Sequence, residues 1–88
     1  MERVEVKLNL KDVLPRIKLA NPNSKKLEEP IFVVFAKDIK KYIIIDGHNR
    51  YYIYKENKKR KIKAVIKGIQ NKTEFFPIIN YEKIIRRW

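Results

Sequence analysis

Cysteine is absent from these 88 residues, which excludes a disulfide framework, a thiolate nucleophile and any Cys-based zinc or iron–sulfur centre. The one histidine excludes a multi-histidine metal site. No apolar run approaches the ~20 residues that cross a bilayer, and Met1-Glu2-Arg3-Val4-Glu5 has no apolar signal core. The expected location is therefore the cytoplasm, with no membrane partner. Acidic residues are scarce: 10 Asp and Glu stand against 22 Lys and Arg, leaving a formal charge of +12. A field of that sign concentrates polyanions such as nucleic acid or nucleotide phosphates.

The hydrophobic share of 44% and aromatic share of 11% suffice for a core despite 36% charged residues, so the chain is expected to fold. Its length suits one domain, 1–88. Abundant Ile, Lys, Tyr and Asn, with a single Met, resemble the composition of AT-rich thermophiles, where thermolabile residues are few.

Along the chain, Val4 to Leu10 alternates apolar and polar residues and predicts a strand with one buried face. Lys11-Asp12-Val13-Leu14-Pro15 is too short for a stable helix and reads as a helical turn, followed by loop over residues 20–30. Ile31 to Ala36 and Tyr42 to Ile45 are continuous apolar runs either side of a hairpin-sized polar break, as expected of two central antiparallel strands. Tyr51 to Lys59 has no Gly or Pro and predicts a helix that places Arg50, Tyr54 and Asn57-Lys58 along one side. Lys61 to Lys67 returns to strand character, with Ile62, Ala64 and Ile66 on one face and Gly68 as its close. Phe75-Phe76-Pro77-Ile78-Ile79 predicts an edge or covering segment. Asn80 then caps a terminal helix with an apolar stripe of Tyr81, Ile84, Ile85 and Trp88. The whole is a small α+β domain.

The chemistry concentrates where Tyr42-Ile43-Ile44-Ile45 runs through Asp46-Gly47-His48-Asn49-Arg50 into the helix. A strand that turns through glycine into a helix leaves backbone N–H groups at the positive end of the macrodipole, which favours an anion. Gly47 permits close approach, and His48, Asn49 and Arg50 add donors, Arg50 with a planar fork suited to phosphate. The competing reading makes Asp46 a helix cap, Gly47 a turn residue, and His48 and Arg50 solvated surface.

This segment resembles the ParB/sulfiredoxin superfamily, whose signature is a strand ending in a short glycine turn that opens a helix and binds phosphate. Sulfiredoxins carry Gly-Gly-Cys-His-Arg-Tyr there, ParB partition proteins Gly-Glu-Arg-Arg, and archaeal free-serine kinases a sequence close to Asp-Gly-His-His-Arg. Asp46-Gly47-His48-Asn49-Arg50-Tyr51 is most similar to the kinase form. Leu8 to Val13 and Pro30-Ile31-Phe32-Val33-Val34 resemble the family's opening strand and its Pro-Ile strand, so the likeness covers about residues 4–68, with 69–88 as a covering segment and helix. The resemblance implies a small mixed sheet with a strand-turn-helix phosphate site at Gly47, His48, Asn49 and Arg50. His48 stands where sulfiredoxins have their cysteine, so sulfinic acid reduction, which needs the thiolate, is excluded. Ser24, Lys25 and Lys26 occupy the interval in which the family often carries further phosphate-binding residues.

The kinase resemblance also places Glu28 and Glu29 near an acidic region and Asp46 beside the phosphate. These are candidates for a catalytic base, and Asp46 for holding Mg²⁺ together with phosphate oxygens of ATP or ADP. Capping and surface charge are the plainer roles for the three. Lys55, Lys58, Lys59, Arg60, Lys61, Lys63 and Lys67, joined by Arg86 and Arg87, form the expected nucleic-acid surface, with DNA preferred to RNA. Two functions stand open. One is a phosphate-binding, ParB-like domain that engages nucleic acid, with nuclease activity as an option. The other is a nucleotide-dependent phosphotransferase resembling the free-serine kinases.

Overall fold

The computed structural model describes residues 5–19, 21–22 and 27–71. Strand β1 (Glu5–Asn9) leads through a 3-10 turn (Leu10–Asp12) into β2 (Val13–Leu14). Strands β3 (Ile31–Ala36) and β4 (Lys41–Asp46) form the expected hairpin, followed by helix α1 (His48–Glu56) and strand β5 (Lys61–Gln70). The five strands make one mixed sheet in the order β1-β5-β3-β4-β2. Pairing is antiparallel for β1–β5 and β3–β4, and parallel for β3–β5 and β2–β4. The C-terminal covering segment and helix expected beyond residue 71 lie outside the described residues.

The apolar runs explain the layering. Ile31 and Val33 of β3 and Ile44 of β4 fall in one buried cluster with Tyr51 of α1, Ile62 and Ala64 of β5, and Leu10 and Val13. The alternate residues Val34, Ala36 and Ile43 fall in a second cluster on the other side of the sheet. A continuous apolar strand is the pattern of burial on both faces.

Two strands depart from the sequence expectation. The helical turn is confined to Leu10–Asp12, and Val13 and Leu14 extend instead, pairing in parallel with Tyr42 and Ile43. Both side chains are fully buried, and their burial outweighs a local helical preference too short to stand alone. Strand β5 does not end at Gly68 but continues to Gln70, because β3 offers it partners through Ala36 across a register shift after Val33. A Cβ at Gly68 would meet nothing within 4 Å, so this glycine marks neither a turn nor a close approach. A second difference lies nearby: Ile62 and Ala64 are buried as expected, whereas Ile66 is 39% exposed, beyond the last β1–β5 pair among the described residues, Glu5 with Val65.

Candidate functional site

The carboxyl end of β4 builds the site. Gly47 has φ 102°, in the left-handed region, and a Cβ there would lie 2.7 Å from Ile31 Cγ2 and 2.9 Å from Arg50 Nη2. Glycine is thus required twice, for backbone conformation and for space. The N-cap position of α1 is Gly47 itself, with no side-chain capping bond, so the exposed Asp46 is not the helix cap. The first intrahelical bond runs from the Tyr51 N–H to the Gly47 carbonyl at 3.2 Å.

Three hydrogen bonds tie neighbouring loops to α1. The Arg16 N–H donates to His48 Nε2 at 3.0 Å, and the Tyr52 hydroxyl donates to the Ile17 carbonyl at 2.7 Å. From farther along the helix, the Tyr54 hydroxyl donates to the Leu27 carbonyl at 3.0 Å. The loops after β2 and before β3 therefore form the walls of a cleft of about 520 Å³ at the start of the helix. Asp46, Gly47, His48, Asn49 and Arg50 line its floor, and Arg16 and Glu29 its sides.

His48 and Arg50 are each 9% exposed, which overturns the reading of both as solvated surface. His48 acts as an acceptor through Nε2, so the neutral ring carries its proton on Nδ1. Burial pushes its pKa down to about 4, aided by the Arg16 charge and partly opposed by Asp46. At neutral pH it adds no positive charge to the cleft and holds the Arg16 loop in place, where the sequence suggested a side-chain donor. The cations are instead Arg16 and Arg50. Arg50 Nη1 lies 3.8 Å from Glu29 Oε2, and the Glu29 side chain is more than half exposed. Arg16 Nε is buried and has no hydrogen-bond partner among the described residues.

Of the residues expected at the site, the structure gathers Asp46, Gly47, His48, Asn49, Arg50 and Glu29 in one cleft. Glu28 is exposed and does not line it, and Ser24, Lys25 and Lys26 lie outside the described residues. Lys55, Lys59 and Arg60 line a separate concavity of about 420 Å³ at the other end of α1, together with Lys11. Lys61, Lys63 and Lys67 are exposed on β5, with Lys63 opposite Lys7 of β1 and the Lys67 ammonium 5.5 Å from the Phe32 ring centroid. Lys58 is exposed in the turn after the helix, with φ 56°. The sequence reading missed Arg16, Tyr52, Tyr54 and Lys11. The only local signal for Arg16 was its place after a proline at the end of an apolar pair.

No protein-family model matches the chain, and no curated protein matches it. Among solved structures it is similar to a mutant free serine kinase in complex with AMP, with a TM-score of 0.61 and 20% identity over 75% of this chain. A conserved hypothetical protein from Pyrococcus furiosus matches with a TM-score of 0.55, also at 20% identity over 75% of this chain. The chain spans about a third of the length of each, 32% in both cases. The likeness is one of fold: a small mixed α+β architecture. Among the described residues no helix is long and apolar enough to cross a membrane.

Proposed function

We propose that the cleft at the start of α1 binds a phosphate group of a nucleotide. The observation that carries this reading is the convergence of the Gly47 turn, the N-terminal turn of α1 and the guanidinium-bearing residues Arg16 and Arg50 on one cleft. The similar free serine kinase structure holds AMP, which favours a nucleotide over a lone phosphate ion. In this reading the backbone at Gly47, His48 and Asn49 receives the phosphate, and Arg50 exchanges Glu29 for a phosphate oxygen. Arg16 closes the other side, positioned by the bond from its own backbone to His48. No cluster of three His, Cys, Asp or Glu side chains suits a metal among the described residues. A Mg²⁺ ion fits only alongside Asp46 and phosphate oxygens, arriving with ATP or ADP. Asp46 and Glu29 are the lining carboxylates from which a phosphotransferase base would come.

A second reading, nucleic-acid binding through the basic surface, is favoured by the exposure of Lys55, Lys58, Lys59, Arg60, Lys61, Lys63 and Lys67. Calorimetric titration with AMP, ADP and ATP, beside labelled DNA and RNA over a salt series, separates the two. Arg50→Ala is expected to weaken the nucleotide by roughly 1–3 kcal/mol, the size of a lost charge-assisted bond. Unchanged affinity in that variant would show the cleft to be structural. DNA affinity that does not fall with salt would dismiss the second reading.

A further inference from the structure

We infer that the concavity at the carboxyl end of α1 is a second anion site, which seats a backbone phosphate of a nucleic-acid strand. The inference rests on the nucleic-acid reading and gives it a location. Lys11, Lys55, Lys59 and Arg60 line this concavity with Asn9 and Leu10, and no carboxylate among the described residues lines it. The cleft at the other end of α1 differs, since there two arginines face two carboxylates.

The gathering of charge is built by the fold. The backbone of Lys58 turns into the left-handed region, and the N–H groups of Asn57, Lys58 and Lys59 cap the carbonyls of Ile53, Lys55 and Tyr54. The chain then turns back, and the Leu10 N–H donates to the Arg60 carbonyl at 2.9 Å, which brings the 3-10 turn against the end of the helix. Lys41 reaches the Lys11 carbonyl at 3.2 Å and the Asp12 carboxylate at 3.6 Å, so the acidic neighbour of Lys11 is engaged by another cation.

One basic residue suffices to offset a helix C-terminus, and Lys55 stands in the last turn of α1 for that role. Lys11, Lys59 and Arg60 exceed it. Like charges drawn from distant parts of the chain repel, a cost that an anionic ligand relieves. The cationic run does not end in the concavity, for Lys61 and Lys63 follow Arg60 on β5, and Lys7 lies across from Lys63. Alternate strand residues repeat about every 6.6 Å, so these lysines extend a track along which further phosphates fit. A polymer engages both the concavity and the track, whereas a free phosphate occupies only the first. Contacts to phosphates without base edges make such binding independent of sequence.

The test is fluorescence anisotropy with a labelled oligonucleotide of about 20 nucleotides, single-stranded and duplex, between 50 and 200 mM salt. Two double variants remove equal charge: Lys11→Gln with Arg60→Gln in the concavity, and Lys7→Gln with Lys63→Gln outside it. The concavity pair is expected to weaken binding at least tenfold and to reduce the salt slope by about 1.5, while the strand pair costs two- to threefold. Equal losses in the two would overturn the site while leaving the nucleic-acid reading in place. No binding of any oligonucleotide by the unaltered protein would remove that reading and the site together. Inorganic phosphate and ADP are titrated against the same variants by calorimetry, and a tenfold loss confined to these two would show that the concavity takes a free phosphate and overturn the assignment to a strand. Thermal melts of both doubles establish that each remains folded.

Discussion

The two ends of helix α1, about 12 Å apart, hold positive charge in opposite ways. At the amino end, two arginines and two carboxylates share one cleft, Arg50 is nearly buried, and a neutral histidine holds the wall. At the carboxyl end, Lys11, Lys55, Lys59 and Arg60 are exposed, and among the described residues no carboxylate lines the concavity. The first arrangement has little net charge and fixed geometry, which suits recognition of one group. The second has exposed charge of one sign, which suits attraction of a polymer and responds strongly to salt. A count of net charge does not separate these two roles.

The sharpest way to break the comparison is Gly47→Ala. The added Cβ meets Ile31 at 2.7 Å and Arg50 at 2.9 Å, on a backbone whose φ of 102° disfavours any side chain. A loss of about 2–4 kcal/mol is expected, seen as a fall in melting temperature of roughly 10–20 °C. In the fraction that remains folded, nucleotide binding should be lost while oligonucleotide binding persists. Loss of both in equal measure would mean that the two ends act as one.

Acid should disturb only the amino end. The folded pKa of His48, about 4, lies below its ordinary value of 6.5. Below pH 6.5 the unfolded chain takes up a proton that the folded chain refuses, so this contribution to stability is complete above pH 6.5 and is lost as pH falls toward 4. The expected loss is on the order of 2 kcal/mol. Urea unfolding at pH 7, 5.5 and 4 measures it, and His48→Gln, which keeps an acceptor for Arg16 without titrating, should flatten the curve between pH 6.5 and 4. A variant that follows the parent curve throughout would place the acid sensitivity elsewhere.

A smaller effect tests the charge balance. Glu29 lies 3.8 Å from the Arg50 guanidinium and is mostly exposed, so it competes with an incoming phosphate at modest strength. Glu29→Gln is expected to tighten nucleotide binding by about two- to fivefold, equivalent to ~0.4–1 kcal/mol. It should leave oligonucleotide affinity nearly unchanged. Weaker nucleotide binding would show that Glu29 supports the ligand directly.

What the sequence revealed follows the same division. The strand, glycine turn and helix around Gly47 were legible because their signals are local: an apolar run, one glycine and a helix without Gly or Pro. Arg16 was not, because its place in the cleft depends on the parallel pairing of Val13 and Leu14 with β4, a contact across nearly thirty residues of chain. Tyr54 was legible only as a residue on the Arg50 side of the helix and Tyr52 not at all, because the partners of their hydroxyls, the carbonyls of Leu27 and Ile17, lie about thirty residues away in the chain. Lys11 was hidden for the same reason, since the pairing of Asn9 with Lys61 and the bond between Leu10 and Arg60 bring its turn to the end of α1. His48 was legible as a turn residue, but its acceptor role needed the loop that it holds. Local patterns name the motif, and long-range packing decides which side chains complete it.

The smallest expected change belongs to neither end. Tyr51 sits within the helix, almost wholly buried in the main cluster, and its hydroxyl has no hydrogen-bond partner among the described residues. Burial pushes its phenol well above the usual range, with Tyr52 contributing, so it stays protonated and keeps an unused donor in an apolar setting. Removing an unsatisfied group of this kind is nearly neutral or stabilising. Tyr51→Phe should therefore hold or raise stability by up to about 1 kcal/mol, measured by urea unfolding, with both ligand affinities unchanged. If this substitution instead weakens the nucleotide, the hydroxyl takes part in the cleft. If it weakens nucleotide and oligonucleotide alike, the helix couples its two ends, and the division between a balanced cleft and a cationic concavity gives way to a single extended site.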